Sequence, residues 1–326
     1  MTADAGTSPT GGADAGEARC PICDGASVSF AAGHRDFEDA RIFRCSGCSH
    51  WFTNPEPDDQ ALETYYKTLY SEQRRRHFGE SYFVLMERRA EAQLDYIRRH
   101  LDQGRRRSAP GRWGRVLDLG CGVGALVARL QSEGADAIGY DSDPAAIEVG
   151  KNRWKANVHL AALNDTSASH GQFDLLCMSH VVEHLPKVRQ ALTEILRLLG
   201  PGGFVFLEVP NCFAEMFSRN VSTEAHINFF TRGSLCLLLE QVGLQVASCV
   251  TCGPRRRLAL EDGARRTGVA SRVFSRLRAT LGAAVAAVSY RRKGAGAHVR
   301  TIYDGTYARY YGDDQGLWVR CVARKV

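Results

Sequence analysis

Short apolar runs alternate with helical patterns through the middle of the chain. Residues 116–119, 138–141 and 173–178 each hold closely spaced apolar side chains beside Gly, Asp or Ser, which predicts buried strands. Between these runs, apolar residues recur every three or four positions, as in helices with one buried face. Alternation of strand and helix is typical of a mostly parallel sheet covered by helices. Further strands are predicted at 157–160, 204–210, 244–250 and 316–324.

The N-terminal part of the chain is patterned differently. Residues 1–19 are rich in Gly, Ala, Thr and Asp without apolar periodicity, which predicts a disordered tail. Apolar side chains then follow helical spacing from about 82 to 101, which predicts a helix ahead of the first strand of the sheet.

A glycine-rich turn follows that first strand. Asp118, Gly120, Gly122 and Gly124 occupy every second position, and glycine lets the backbone approach a ligand closely. A helical pattern starts at Ala125, and a strand, a glycine turn and a helix N-terminus together form a nucleotide-type site. The dinucleotide fingerprint of dehydrogenases is also satisfied here, which leaves that alternative open. The additional Gly124 and the acidic Asp118 favour a different ligand.

The series from Asp118 to Gly124 resembles the first motif of class I S-adenosylmethionine-dependent methyltransferases. Asp141 at the end of the second strand and the turn at 199–203 agree with that family. The resemblance covers roughly residues 112–250. It implies a Rossmann-like, seven-stranded α/β sheet with an antiparallel last strand, S-adenosylmethionine as cofactor, and a ribose contact from Asp141. The residues that it assigns to the cofactor are Asp118, Gly120, Cys121, Gly122, Gly124, Asp141, Ser142, Asp165 and Ser179.

Four of the 11 cysteines form two pairs with metal-ligand spacing. Cys20 and Cys23 make one Cys-x-x-Cys pair, and Cys45 and Cys48 make the second after 21 residues. This spacing suits a tetrahedral zinc site, and four protein ligands would make the zinc structural. Redox exchange, the alternative, needs only one pair. The N-terminus does not resemble a secretory signal, which predicts a reducing cytoplasm.

A zinc ribbon ahead of such a sheet resembles bacterial methyltransferases of glycan and natural-product pathways. In that group the ribbon and an aromatic helical segment cover the cofactor mouth. The resemblance implies that Tyr65, Tyr66 and Tyr70 line the acceptor pocket, and plain packing between ribbon and core is the alternative.

Histidines and a glutamate gather after the fourth strand. A one-turn helix would place His180, Glu183 and His184 on one face, and His226 follows the fifth strand at the same edge of the sheet. Three imidazoles and one carboxylate suit a divalent metal. Three interpretations stay open: a metal site, a metal-free general base at His184 or His226, and structural histidines. The predicted catalytic residues are His184, Glu183 and His226.

This cluster resembles the Glu-x-x-Glu-His set, with a distant His, of some class I O-methyltransferases. They include small-RNA terminal 2′-O-methyltransferases and ubiquinone-pathway enzymes, which act on vicinal hydroxyls that can chelate an ion. His180 stands where that pattern has its first Glu, which favours Zn²⁺, Fe²⁺ or Mn²⁺ over Mg²⁺.

The net charge of +6 is concentrated in one segment. Residues 254–300 hold 12 Lys+Arg against 2 Asp+Glu, and their apolar residues recur at helical spacing, which predicts a basic amphipathic helix. A helix packed on the core or on a dimer partner is one interpretation. An anionic membrane surface is another, and RNA is the least favoured. DNA is not an expected partner, and no apolar run reaches the roughly 18 residues of a membrane span.

The sequence therefore predicts an O-methyltransferase that acts on a hydroxyl of a small molecule: a sugar, a glycosylated natural product or a diol. Alternatives are an RNA methyltransferase, a sugar C-methyltransferase, and a non-enzymatic protein that retains the cofactor fold. The expected location is the cytoplasm, with peripheral membrane association as a variant. The predicted segments are a disordered tail (1–19), a zinc ribbon (20–56), a helical lid and linker (57–111), the methyltransferase core (112–252), a basic helical insertion (253–315) and the last core strand (316–326).

Overall fold

The structure, a computed structural model, describes residues 18–26, 28–66, 78–101, 113–161, 172–213, 217, 225–255, 310–311 and 313–326. Its strands are β1 (Val28–Gly33), β2 (Arg41–Cys45), β3 (Trp51–Asn54), β4 (Arg115–Leu119), β5 (Asp136–Asp141), β6 (Val158–Leu160), β7 (Phe173–Ser179), β8 (Leu199–Pro210), β9 (Asn228–Phe229), β10 (Leu244–Arg255), β11 (Tyr310–Tyr311) and β12 (Gly316–Lys325). Its α-helices are α1 (Asp59–Thr64), α2 (Glu80–Leu101), α3 (Ala125–Ser132), α4 (Pro144–Val149), α5 (Val188–Ile195) and α6 (Arg232–Gln241).

The larger sheet has the strand order β11-β10-β12-β8-β7-β4-β5-β6. The pairs among β4 to β8 are parallel, and β12 runs antiparallel to both β8 and β10. The predicted Rossmann-like sheet with an antiparallel last strand is therefore confirmed. The predicted count of seven strands differs from the eight in the described part of the chain. Tyr310 and Tyr311 pair with Cys252 and Thr251 and add a two-residue strand at the edge.

The central strands are buried on both faces. In β7, Leu175 and Cys177 pack into one core while Leu176 and Met178 pack into the other. Parallel strands covered by helices on both sides need apolar residues in both directions, which explains the continuous apolar runs in the sequence.

The helices close the two cores as the periodicity predicts. Leu192, Ile195, Leu196 and Leu199, at the end of α5 and beyond, are at most 5% exposed. Helix α2 packs against α3 on the opposite side of the sheet and ends at the linker before β4. This places the N-terminal half of α2 near the carboxyl ends of the parallel strands.

The smaller sheet joins the cysteine-bearing segment to the core. Its order is β1-β2-β3-β9, and β9 pairs antiparallel with β3 through Trp51–Phe229 and Phe52–Asn228. The sequence assigns 20–56 and 112–252 to separate segments, but the sheet of the first segment takes its fourth strand from the second. We call residues 18–54 together with β9 the cysteine module.

Several sequence predictions concern residues outside the described parts of the chain. They include Tyr70, Asp165, most of the predicted tail and nearly all of the basic insertion. Among the described helices, none combines the length and the apolar character needed to cross a membrane.

Candidate functional site

A glycine loop at the carboxyl end of β4 forms one wall of a cavity. The N–H of Gly120 donates to the Tyr140 carbonyl at 2.8 Å, and the N–H of Gly122 donates to Asp141 Oδ2 at 2.7 Å. These bonds hold the loop against the end of β5. Gly120, Gly122 and Gly124 have φ angles of +70°, +54° and +72°, where a residue with a side chain is strained. The glycine spacing in the sequence is therefore required by the shape of the loop.

The cavity has a volume of about 250 Å³ and lies between this loop, α2 and the end of β7. Gly124 lies behind the loop at the start of α3, and Asp165 is outside the described residues. The other seven residues predicted to contact the cofactor all line the cavity: Asp118, Gly120, Cys121, Gly122, Asp141, Ser142 and Ser179.

The carboxylate of Asp141 is fixed by the backbone. Besides the bond from Gly122, its Oδ1 accepts the N–H of Asp143 at 2.9 Å. Asp143 caps α4 by accepting the N–H of Ala145 at 3.0 Å. Each carboxylate oxygen has a second lone pair, so Asp141 can still accept a hydrogen bond from a ligand hydroxyl. Its predicted ribose contact stays a prediction.

Asp118 is a second carboxyl group in the cavity wall and is 3% exposed. Burial, followed by the charge of Asp141, raises its pKa to about 8, although the guanidinium of Arg89 acts in the opposite direction. Near pH 7 the group is therefore largely protonated. A cationic ligand in the cavity would favour its ionised form.

An ion-pair network beneath the cavity was not predicted from the sequence. Arg89 Nε donates to Glu208 Oε1 at 2.7 Å, and an Arg89 Nη donates to Ser179 Oγ at 2.7 Å. Arg320 Nε donates to the other oxygen of Glu208. Burial raises the pKa of Glu208, but the charges of Arg320 and Arg89 outweigh it and hold that pKa well below its usual range. Arg89 therefore presents a fixed cation to the cavity.

Two sequence signals could have singled out members of this network, although not their pairing. Arg89 and Gln93 are one turn apart on α2 and interrupt the apolar positions of its buried side, and Gln93 Nε2 donates to Ser179 Oγ at 2.9 Å. Glu208 and Arg320 are register partners in β8 and β12, and each is charged within an otherwise apolar stretch. A buried charge on each of two strands requires a partner of opposite sign.

The turn after β7 brings a second set of polar groups to the cavity. Glu183, His184 and His226 each place one ligand atom within 4.8 Å of the others. The ring centroids of His184 and His226 are 4.8 Å apart, edge to face. The helical turn covers only Val182–His184, and His180 has a φ of +57°, so the predicted one-turn helix does not include it. His180 Nδ1 lies 3.2 Å from Glu183 Oε1 but is outside the group of three.

Glu183 is 1% exposed, and among the described residues neither of its carboxylate oxygens has a hydrogen-bond partner. His180 Nδ1 approaches Glu183 Oε1 to 3.2 Å and forms an ion pair with it when protonated. Burial raises the pKa of Glu183. The contact with His180 and the charges of His184 and His226 outweigh burial and lower this pKa to about 2. Burial and the charge of His184 lower the pKa of His226 to about 3. At pH 7 the site therefore combines a buried carboxylate with a neutral imidazole at His226.

Two aromatic side chains also line the cavity. Tyr66 and Tyr82 line the cavity, and the ring of Tyr66 meets that of His184 edge to face at 5.9 Å. Tyr65 is buried and packs against Phe37 and Tyr66 instead. The sequence proposed the same role for both tyrosines, and the structure places only Tyr66 at the cavity.

The four cysteines of the cysteine module converge on one point. Their Sγ atoms lie within 4.8 Å of one another, with Cys20–Cys48 and Cys23–Cys45 both at 3.5 Å. Tetrahedral bonds of about 2.3 Å to zinc place sulfurs about 3.8 Å apart, whereas a disulfide needs about 2.05 Å. The donor set therefore fits a tetrahedral ion.

The two cysteine turns have the same backbone geometry. The residue four positions after each first cysteine donates its N–H to that cysteine's carbonyl, from Asp24 at 2.9 Å and from Ser49 at 3.0 Å. Asp24 and Ser49 both have positive φ angles, +59° and +60°. Such matched turns present both thiols of each pair toward one centre.

Comparisons with known proteins identify the family of the chain. A family model described as a methyltransferase domain matches residues 86–248, which is half of the chain. The ubiquinone biosynthesis O-methyltransferase of Aromatoleum aromaticum is 28% identical over 151 residues, covering 41% of this chain and 64% of that protein. The enzyme of the same name from Thiobacillus denitrificans is 30% identical over 149 residues, covering 40% and 64%. The chain therefore spans just under two thirds of the length of these relatives.

Solved structures of low sequence identity also match. The magnesium protoporphyrin IX methyltransferase of Synechocystis has a TM-score of 0.49 at 13% identity, covering 82% of this chain and all of that one. A SAM-dependent methyltransferase of Archaeoglobus fulgidus has a TM-score of 0.43 at 16% identity, covering 71% and 92%.

Proposed function

The chain belongs to the methyltransferase-domain family, and from this premise we propose that it transfers the methyl group of S-adenosylmethionine to a hydroxyl oxygen of a small molecule. That the protein is an S-adenosylmethionine-dependent methyltransferase follows from the family. Oxygen as the methylated atom is supported by the printed name of the curated relatives.

The residues of the cavity fit this cofactor. The glycine loop leaves its backbone uncovered beside Asp141, which suits a ribose. Arg89 offers a cation for the cofactor's carboxylate, and Asp118 offers a carboxyl for its positive charges. The amino-acid end of S-adenosylmethionine carries one positive and one negative charge, which Asp118 and Arg89 complement.

The buried carboxylate of Glu183 is the main observation that supports a metal-assisted reaction. Burial of a carboxylate that is 1% exposed, with His180 Nδ1 at 3.2 Å from one oxygen and no hydrogen-bond partner among the described residues, costs on the order of several kcal/mol. A divalent cation bound by Glu183, His184 and His226 would offset this cost. Two imidazoles and one carboxylate are ligands that suit Mn²⁺, Fe²⁺ or Zn²⁺.

The acceptor oxygen attacks the methyl carbon, a C–O bond forms as the C–S bond breaks, and the electron pair stays on sulfur. The hydroxyl proton leaves to solvent. When bound, the cation would supply positive charge that lowers the pKa of the acceptor hydroxyl. The protein's own part is alignment, with Tyr66, whose ring contacts that of His184, and Tyr82 lining the cavity.

A diol is the acceptor class that we propose among those predicted from the sequence. Two neighbouring hydroxyls could both bind a cation held by Glu183, His184 and His226. The aromatic wall of Tyr66 and Tyr82 suits a planar, ring-bearing diol. The relatives' name, which specifies ubiquinone biosynthesis, gives no support to a sugar or a glycosylated natural product.

The test uses methyl-labelled S-adenosylmethionine with catechol, a monophenol and a sugar diol as acceptors. We expect label in catechol, loss of transfer with a chelator, and recovery with Mn²⁺. Glu183→Gln should lower transfer at least 100-fold, because it removes a charged ligand. His159→Gln is the matched control, since His159 is exposed on β6 outside the cavity. Zinc content is followed in the same samples, so that loss of zinc from the cysteine site is recognised.

Transfer that resists chelation but is lost in His226→Gln would instead establish a metal-free general base. Unlabelled acceptors with intact cofactor binding would overturn the acceptor class. The basic insertion, with its membrane, dimer and RNA alternatives, and the cytoplasmic location stay predictions.

A further inference from the structure

The backbone that carries His226 is held by the cysteine module more than by the core. The N–H of Thr53 donates to the Ile227 carbonyl at 2.8 Å, and Thr53 Oγ1 donates to the His226 carbonyl at 3.4 Å. The core contributes the Glu183 carbonyl, which accepts the N–H of Ile227 at 2.8 Å, and His184 Nδ1, which lies 3.4 Å from the Ala225 carbonyl oxygen. His226 therefore lies where module and core meet.

His34, in the loop after β1, makes a shorter contact with the same carbonyl. Its Nε2 lies 2.9 Å from the His226 oxygen. Its Nδ1 lies 3.1 Å from the N–H of Asp36 and 3.2 Å from the N–H of Phe37, and it accepts from both. Because Nδ1 is an acceptor, the ring proton must be on Nε2, and His34 donates to His226. The ring is 6% exposed, so water does not compete strongly for this bond.

The same loop also holds the residue before His226. Asp36 Oδ2 accepts the N–H of Ala225 at 3.0 Å. Ala225 has a φ of +56°, a left-handed conformation that costs about 1 kcal/mol for a residue with a side chain. Contacts from outside the segment are needed to keep Ala225 in this conformation. Residues 225, 226 and 227 thus each make a hydrogen bond with the cysteine module.

We propose that His34 is a positioning residue for His226, and that its Nε2–H bond sets where the His226 ring lies relative to Glu183 and His184. The inference rests on the proposed function, since it gives the cysteine module a part in the metal centre. Groups that orient a metal ligand typically change metal affinity 10- to 100-fold when they are removed.

A matched pair of substitutions separates this role from local packing. In His34→Asn, the amide oxygen takes the place of Nδ1 and keeps the bonds from Asp36 and Phe37, but no donor reaches His226. In His34→Gln, the amide nitrogen takes the place of Nε2 and keeps the donor. A purely structural role would make the two variants differ little, or would make Asn the better replacement.

The experiment measures Mn²⁺ affinity by electron paramagnetic resonance on the full chain with its cysteine-site zinc in place. We expect His34→Asn to bind Mn²⁺ about tenfold more weakly than wild type, and His34→Gln to stay within about threefold. S-adenosylmethionine affinity and zinc content should be unchanged in both. Wild-type Mn²⁺ affinity in His34→Asn would overturn the inference.

A second readout does not depend on the metal. In ¹⁵N-histidine-labelled protein without added Mn²⁺, the His226 ring signals, assigned with His226→Gln, should shift in His34→Asn and stay near their wild-type positions in His34→Gln. If wild type binds no Mn²⁺, the metal proposal fails, while these signals still decide the role of His34. If His34→Asn does not fold, His34→Met, which keeps the bulk of the side chain but has no donor for the His226 carbonyl, gives the same test. Unchanged signals in the folded variant would overturn the inference.

Discussion

Asp118 determines how the cofactor cavity responds to pH. Its carboxyl is buried beside Asp141 and Arg89, and its pKa is raised to about 8. The S-adenosylmethionine sulfonium is positively charged at every pH, so the ionised carboxylate binds it better than the neutral acid. Asp118, which would bind the cofactor's positive charge, is thus only partly ionised at neutral pH.

We therefore expect cofactor affinity to rise by up to about 25-fold between pH 6.5 and 8.5, because the ionised fraction of a group with a pKa of about 8 rises from about 3% to about 75%. Isothermal titration calorimetry across this range measures it. Asp118→Asn should remove most of the rise, which separates Asp118 from the cofactor's own amino group. A variant that keeps the full wild-type slope would contradict the assignment.

At this scale, the sequence predicted the residues that belong to a compact motif. Asp118 and Asp141 are found because each ends a strand next to a glycine turn or a helix cap. Arg89, Glu208 and Arg320 are far apart in the chain, and only the packing of α2 over β8 and β12 brings them together. Pairing between distant residues cannot be read from local spacing.

The glycine loop with α3 is the element that shapes the cavity. Gly124 begins α3 at a φ of +72°, and a Cβ there would lie 2.8 Å from Val158 Cγ1. Gly134 has a φ of +84°, but a Cβ there would meet nothing within 4 Å. Alanine would be strained at both positions, but its Cβ would clash with a neighbour only at position 124.

Gly124→Ala should therefore weaken cofactor binding at least tenfold, because relief of the clash moves the loop away from β6. Gly134→Ala should cost about 1 kcal/mol of unfolding free energy and leave cofactor affinity within twofold. Denaturant unfolding and calorimetric titration on both variants check this. Equal affinities in the two variants would show that the loop tolerates the displacement.

The turn after β7 shows where element prediction from spacing fails. An i, i+3, i+4 pattern groups residues only when all of them are helical, and the left-handed φ of His180 starts the turn later. Glu183 and His184 remain together, and His226 joins them through β9. The sequence placed His226 at the correct edge of the sheet, but it could not show which part of the protein holds it there.

For the whole molecule, the small sheet beside the cysteine site joins two segments that the sequence treats as separate. Burial raises the pKa values of Cys20 and Cys48 above that of a free thiol. Without a cation these thiols stay protonated, and binding of zinc releases their protons. The folding energy of the small sheet is expected to depend on the ion.

We expect one zinc ion per chain in the purified protein. A strong chelator should make four further thiols reactive and lower the melting temperature, because apo forms of such modules lose their fold. Cys45→Ser should abolish zinc binding, and Cys236→Ser, outside the module, should retain it. Elemental analysis measures the zinc content, thiol titration measures the reactive cysteines, and calorimetry measures the melting temperature. A zinc-free protein with the same melting temperature would contradict the structural role.

The pairing of β3 with β9 has a consequence for biosynthesis. Residues 55–227 separate these strands, so the module that is translated first receives its last strand only after most of the core has left the ribosome. Until then β3 has an open edge that can pair with another chain. Contacts over such a separation form slowly. Early capture of zinc by the four cysteines would keep the nascent module folded while its missing strand is still being made, so zinc supply during translation should influence how much protein aggregates.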